Sequence, residues 1–264
     1  MASKQRFKKE LYKERANRLF LRFECSKAYA EFCRQVFGKN LYQISMVDMV
    51  QLSKLLSLLR LDKNNRVLDI GCGVGMISEY ISDATNAHVT GLDFANKVIR
   101  RAQKRTKEKK DRLLFEVGNI MNPPFQQRSF DTIIAIDSLY FVNNLQEALK
   151  KIKTLLTANG QMGIFYSQGV KPDESRSRLM PKETKLGRVL TKLKLRFRTW
   201  NYTKSEMRHW KKRKRVALKL MSAFKSEGNL RICNGLIKEA EYALKFVDSR
   251  RISRYLYHVC LTGC

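Results

Sequence analysis

The chain has 264 residues, with 53 Lys and Arg against 24 Asp and Glu, a formal net charge of +29, and 44% apolar and 10% aromatic residues. That apolar share can build a core, which rules out a disordered basic tail. No run approaches the roughly 18 consecutive apolar residues of a membrane helix, and the opening MASKQRFKKELYKER lacks the apolar centre of a secretory signal. A cytoplasmic protein without a membrane span is the expectation. Six cysteines (Cys25, Cys33, Cys72, Cys233, Cys260, Cys264) show no CxxC and no Cys/His pairing of zinc type, so reduced thiols and no metal are expected.

In chain order, Phe7, Leu11, Leu19, Phe20, Phe23, Tyr29, Phe32 and Phe37 recur at mostly helical spacing and predict amphipathic N-terminal helices, followed by a helix over 46–59. The period then changes. Strands are predicted at 66–70, 88–92, 113–117, 131–136 and 161–166, alternating with helices over 76–84, 96–109 and 145–156. This alternation specifies an α/β fold, a mostly parallel sheet with helices on both faces. After Ser167 come a long polar stretch, a basic helix over 205–225, a helix over 230–242 and a closing strand over 252–260. The predicted organisation is N-terminal helices or lid over 1–60, a core over 61–167, a helical cap inserted late in the sheet over 168–228, and a final helix with closing strands over 229–264.

The charge is unevenly placed. Residues 1–40 carry +7, 41–60 carry +1, 61–170 carry +4 and 171–264 carry +17. The middle is nearly balanced, and the excess lies on the segments that would frame a substrate entrance. It is read either as a surface for phosphates, RNA or anionic lipid, or as solvated helix faces.

Val67-Leu68-Asp69-Ile70-Gly71-Cys72-Gly73-Val74-Gly75 is a strand running into three alternating glycines and then a helix. Glycines there permit a tight turn and let a ligand approach backbone amides. Asp93 lies 18 residues after Gly75 at the end of the second strand, where a carboxylate can accept from both hydroxyls of a ribose. The spacing is D-x-G-x-G-x-G, not the G-x-G-x-x-G of a dinucleotide site, and a carboxylate beside the loop would repel a diphosphate. With VLDIGCGVG, GLD at Asp93, VGNI at 117–120 and SFDTIIAIDSLYFV at 129–142, residues 40–167 closely resemble class I S-adenosylmethionine-dependent methyltransferases of the small-molecule type.

The resemblance implies a Rossmann-like seven-stranded sheet and S-adenosylmethionine as methyl donor, leaving S-adenosylhomocysteine. It places Gly71, Gly73 and Gly75 under the donor and Asp69 at its methionine end. Asp93 would hold the ribose, Phe94 and Ile120 would flank the adenine, and Asn119 would take the position where an Asp commonly receives the adenine amino group. Asp137, just past the fourth strand, would sit near the donor methyl and the acceptor.

Other signals are weaker. Asn122-Pro123-Pro124-Phe125 precedes the fourth strand instead of ending it, which argues against the N-P-P-F motif of amino-methylating enzymes. Lys211–Arg215 with Trp200, Tyr202 and Trp210 reads as a nucleic-acid patch, as a solvated helix face opening on a Thr203/Glu206 capping box, or as a pocket for a cationic amine. His209 is the candidate general base, with Asp137 the other catalytic candidate. Tyr42 and Gln43 are read as a lid or as ordinary loop residues. Tyr140, Tyr166 and Trp200 complete the acceptor-side candidates. The leading expectation is methyl transfer to a small molecule, anionic or an amine; the competing ones are a nucleic-acid methyltransferase and a non-catalytic binder of the donor.

Overall fold

The computed structural model describes residues 2–262, with the side chains of 2–12 and 15 outside the description, so the roles expected of Phe7 and Leu11 lie beyond it, as does Cys264. Helices α1 (Ala2–Cys25), α2 (Lys27–Phe37) and α3 (Met49–Leu59) precede a sheet of β1 (Arg66–Ile70), β2 (His88–Asp93), β3 (Leu113–Val117), β4 (Phe130–Ile136), β5 (Leu156–Gly169), β6 (Arg196–Asn201) and β7 (Ile252–Cys260). Between them run α4 (Met76–Thr85), α5 (Asn96–Arg105), α6 (Leu145–Thr154), α7 (Lys185–Lys192), α8 (Thr203–Lys219), α9 (Met221–Ser226) and α10 (Leu230–Asp248). The strand order is β3-β2-β1-β4-β5-β7-β6, with β7 antiparallel to both its neighbours and the other pairs parallel.

Alternation along the strands divides the core. Val67, Val89, Ile134, Phe165 and Leu256 meet α3, α4 and α5 on one face. On the other face Leu68, Ile133, Ile164, Tyr257 and Val259 meet α6 and α7. The strand order reverses between β1 and β4, and it is beyond the carboxyl ends of the parallel strands at such a point that open α/β sheets take ligands.

Three sequence expectations need correction. The stretch 168–228 is not all cap: it contains α7 and β6, both part of the sheet core. The expected break in pattern arises because β6, RFRTWN, is an edge strand with arginines on its exposed positions, which hides its period-two signal. The cap helices α8, α9 and α10 instead lie between β6 and β7, and α10 runs on to Asp248. They share a core with the N-terminal helix α2, where Phe32, Cys33 and Phe37 pack with Val216, Phe224, Cys233 and Leu236. The second correction concerns the capping box. The Thr203 hydroxyl accepts from the Arg254 backbone N–H at 3.1 Å and Glu206 turns inward, so neither caps α8. Third, Cys260 is disulfide-bonded, whereas Cys25, Cys33, Cys72 and Cys233 are free.

Gly187, inside α7, shows how tightly the outer layer packs. A Cβ built there would lie 2.0 Å from the Pro181 carbonyl oxygen, a backbone atom with little room to yield. Gly187→Ala is expected to lower stability by about 1–3 kcal/mol through overpacking, read from the urea midpoint at unchanged slope.

Candidate active site

The sequence VLDIGCGVG folds as a buried strand whose last residues hand over to a loop of left-handed turns. Gly71, Gly73 and Gly75 have φ of 75°, 54° and 74°. At Gly71 a Cβ would stand 2.4 Å from the Ser138 Cβ, and at Gly75 it would stand 2.3 Å from the Phe115 ring. Side chains are therefore refused at both positions on two grounds, strain and space. At Gly73 a Cβ would meet only the Phe20 ring of α1, 3.5 Å away. The loop thus opens upward onto α1, while Gly71 and Cys72 anchor it through N–H bonds to the Leu92 carbonyl at 2.7 and 3.1 Å.

Asp93 ends β2 directly beside this loop. Its carboxylate accepts from the Gly73 N–H at 3.0 Å and the Ala95 N–H at 2.9 Å, leaving acceptor capacity unused. Asp69 lies beneath the loop, not at its rim, and accepts from the Ser78 hydroxyl of α4 at 2.6 Å. Among the described residues neither carboxylate is in an ion pair with a cation. Burial pushes Asp69 up to about 6 and raises Asp93, with the Asp93 charge adding to the effect on Asp69. The Ser138 hydroxyl, beside Gly71, is buried and has no partner among the described residues. Excess negative charge, a free carboxylate lone pair and an orphaned hydroxyl around a glycine loop fit a cationic ligand that carries hydroxyls.

The Asp69 shift has a measurable sign. Its folded pKa lies above the ordinary value, so the folded protein holds the proton more tightly. The ligand-free protein is expected to lose roughly 3 kcal/mol in all as the pH rises from below the ordinary carboxylate range through 6, of which about 1 kcal/mol is the difference between pH 5 and pH 7. Asp69→Asn, which retains an acceptor for Ser78, is expected to flatten this dependence and to raise the melting temperature at pH 7, measured by calorimetry without ligand.

Around the loop, Tyr42 packs with Phe20, Val74, Ala95 and Met76, next to the glycine loop. Gln43 does not serve as a lid contact: it is buried, and its side chain accepts from the Leu41 N–H at 3.1 Å. Phe94 is half-buried next to Asp93, and Ile120 packs at the margin of the core with Met121 and Phe125. Asn119 uses its side-chain carbonyl on the Met121 N–H at 2.9 Å. Helix α1 is held over this region by Glu24 on Arg101 and Arg105 and by Asn17, whose carbonyl receives the Lys97 N–H at the start of α5.

On the acceptor side sits a buried polar network. Asp137, with φ of 52°, leaves β4 in a left-handed conformation. Both its oxygens are committed: Arg254 donates to them at 2.7 and 2.9 Å, the Tyr140 hydroxyl at 3.1 Å and the Met46 N–H at 2.8 Å. Arg254, in β7, is fully buried and also donates to Gln51 at 3.1 Å and to Ser167 at 3.0 Å. Ser167 in turn donates to Glu206, and Trp210 donates to the same carboxyl at 3.3 Å. The Ser167 N–H donates to the Tyr140 hydroxyl. The Tyr140 and Tyr166 rings stand 4.8 Å apart, with Tyr140 exposed and Tyr166 buried in the core.

Three assignments change. Asp137 is a clasp between β4, β7 and the segment leading into α3, not a free base. His209 is buried against Phe37 at 5.0 Å, and burial next to Arg213 lowers its pKa to about 3, so it is a neutral core imidazole and not a general base. Trp200 lies on the edge strand β6 under Lys54, 5.3 Å from the ring centre, away from the glycine loop. Sequence reasoning missed Arg254 and Glu206. Arginine at 254 shares the alternation of Leu256, which places it on a buried face, and that was the available signal.

The profile of the methyltransferase domain matches residues 61–234. The chain belongs to the methyltransferase domain family. The match spans the glycine loop, Asp93, Asp137 and most of the cap. Among curated relatives of this methyltransferase domain, 27-O-demethylrifamycin SV methyltransferase of Amycolatopsis mediterranei is 26% identical over 148 residues, 52% of this chain and 54% of that one. The chain spans about half the length, or less, of the first curated relatives it matches. Two solved structures share the fold. Phosphoethanolamine N-methyltransferase 2 of Haemonchus contortus, in complex with phosphomonomethylethanolamine and S-adenosylhomocysteine, superposes with a TM-score of 0.67 at 18% identity, covering 88% of this chain and 56% of that one. Geranyl diphosphate C-methyltransferase of Streptomyces coelicolor gives 0.63 at 15% identity, covering 82% and 77%.

Proposed function

We propose that the protein is an S-adenosylmethionine-dependent methyltransferase that moves a methyl group to a small-molecule acceptor by direct in-line displacement. The observation that carries this reading is the glycine loop with Asp93 at its side and buried, cation-free carboxylates below it, in a chain of the methyltransferase domain family. S-adenosylmethionine supplies an electrophilic methyl on a sulfonium, which leaves the protein the tasks of alignment and water exclusion.

The residues divide those tasks. Asp93 offers its unused lone pairs to ribose hydroxyls, and the Ser138 hydroxyl beside Gly71 bonds a polar group of the amino acid end. Phe94 and Ile120 border the adenine, and the Asn119 side-chain carbonyl, which takes one hydrogen bond from the Met121 N–H, offers its second lone pair to the adenine amino group. Asp69 and Asp93 favour a positive ligand through their field. Phe20 and Tyr42 exclude water from above. Tyr140 and Tyr166 border the acceptor, and the Asp137–Arg254 clasp holds the 43–48 segment, β7 and, through Ser167, the cap helix in register. With Asp137 committed and His209 neutral and buried, neither accepts a proton from the acceptor, so the chemistry suits a nucleophile that is reactive without a dedicated base.

The accepting atom differs among the relatives, whose names specify O-, N- and C-methylation. The nucleic-acid reading loses its stacking platform, because Trp210 is buried and Trp200 is packed under Lys54. The test is transfer from methyl-labelled S-adenosylmethionine to a total metabolite extract and, side by side, to total RNA. Label in a small molecule is expected; label in RNA alone would refute the acceptor class, and label in neither would refute catalysis.

A further inference from the structure

Helix α8 has two faces of opposite character. Its inner face, Glu206, His209, Trp210, Arg213, Val216 and Ala217, is buried against α2, α10 and β7. Its outer face carries Lys204, Arg208, Lys211, Arg215 and Lys219, all exposed, with Lys212 at the margin. At 3.6 residues per turn these six fall within an arc of roughly 100° and form a ridge about 22 Å long. Among the described residues none of them is in an ion pair, whereas the two other cations of the helix are taken: Arg213 by Glu239 at 2.8 Å and Lys214 by Glu241 at 2.9 Å. The only carboxylate of α8, Glu206, is buried on the opposite side.

We propose that this ridge is a docking surface for an anionic phospholipid bilayer. A row of cations outside any ion pair, with only Lys219 close enough to Glu31 of α2 to act on its charge, meets a flat sheet of phosphates along the length of one convex helix. Single-stranded nucleic acid would need aromatic faces beside the cations, and those of this region are turned inward: Trp210 is buried, Trp200 lies under Lys54, and Tyr202 packs on Phe165 at 6.0 Å. Leu218, 48% exposed, flanks Lys219 and supplies one apolar contact, so attraction is electrostatic and falls off within a Debye length. The inner face of the same helix carries Glu206 to Ser167 and the Asp137–Arg254 clasp, so a docked helix would stand between the bilayer and that network. The proposal does not rest on methyl transfer, since vesicle binding needs neither donor nor acceptor.

The test is flotation of the full chain with vesicles of phosphatidylcholine alone and of phosphatidylcholine with phosphatidylserine, at low and at physiological salt, with total RNA as a parallel ligand. Binding is expected to the phosphatidylserine vesicles only, weakening with salt. The triple variant Arg208→Glu, Lys211→Glu, Arg215→Glu, all at exposed positions, should lower the partition coefficient at least about a hundredfold while its melting temperature stays unchanged. Equal binding to both vesicle types, no binding to either, or a variant that binds as the parent does would overturn the proposal. So would binding of RNA, lost in the triple variant, without binding of vesicles.

Discussion

Arg254→Met is expected to lower the stability of the protein by about 3–5 kcal/mol, the cost typical of removing one partner from a buried pair. The guanidinium is fully buried and makes five of the contacts that hold the site together, to both oxygens of Asp137, to Gln51, to Ser167 and to the face of Phe165. Its removal strands Asp137 in a left-handed turn without a cation and leaves Ser167 to Glu206 alone. Burial already raises the pKa of Glu206, with the Arg254 charge holding it down, so losing the guanidinium pushes that carboxyl further up. The loss should be read as a fall in the urea midpoint. The double variant Arg254→Met, Asp137→Leu should recover part of it, because it removes the unmatched charge at 137 and leaves only Glu206, whose carboxyl can hold its proton. A single variant within 1 kcal/mol of the parent, on the scale of an exposed pair, would show that the clasp is not what holds these segments.

Asp93→Asn is expected to weaken binding of S-adenosylmethionine by at least about a hundredfold, since two hydrogen bonds to a charged acceptor are worth roughly 1.5–3 kcal/mol each. The amide keeps one oxygen but turns its NH2 towards either the Gly73 or the Ala95 N–H, each of which now donates to its own carboxylate oxygen, so the loop is disturbed as well. In the absence of ligand the same change removes a buried carboxylate whose pKa is raised. Stability should therefore fall much less than affinity does. This split between binding and folding, followed by titration and by thermal melting on the same samples, separates a ligand-holding role from a merely structural one.

The glycine loop and Asp93 were legible in the sequence, and much of the polar network around Arg254 was not. The strand, glycines and acidic residue after the second strand form a local pattern, and local patterns survive in a linear reading. Gly71, Gly73, Gly75 and Asp93 lie together as that pattern implies. The acceptor side is assembled from residues far apart in the chain, with Met46, Asp137, Ser167, Glu206 and Arg254 meeting across five segments. No spacing rule links them. Glu206 was disguised by a capping-box interval after Thr203, and the box fails because Arg254 claims the Thr203 hydroxyl. Edge strand β6 was disguised by its arginines. The basic run at 211–215 looked uniform, yet the helix period divides it into Arg213 turned to the core, Lys214 paired with Glu241, and Lys211 and Arg215 facing outward.

The proposed function requires a methyl donor of the S-adenosylmethionine type to bind at the glycine loop beside Asp93. Isothermal titration of the full chain with S-adenosylmethionine and with S-adenosylhomocysteine, repeated on Asp93→Ala, tests it most directly. One saturable site per chain, lost or greatly weakened in Asp93→Ala while the variant still melts cooperatively, is the predicted result. No heat of binding from either compound, or binding that Asp93→Ala leaves unchanged, would contradict it.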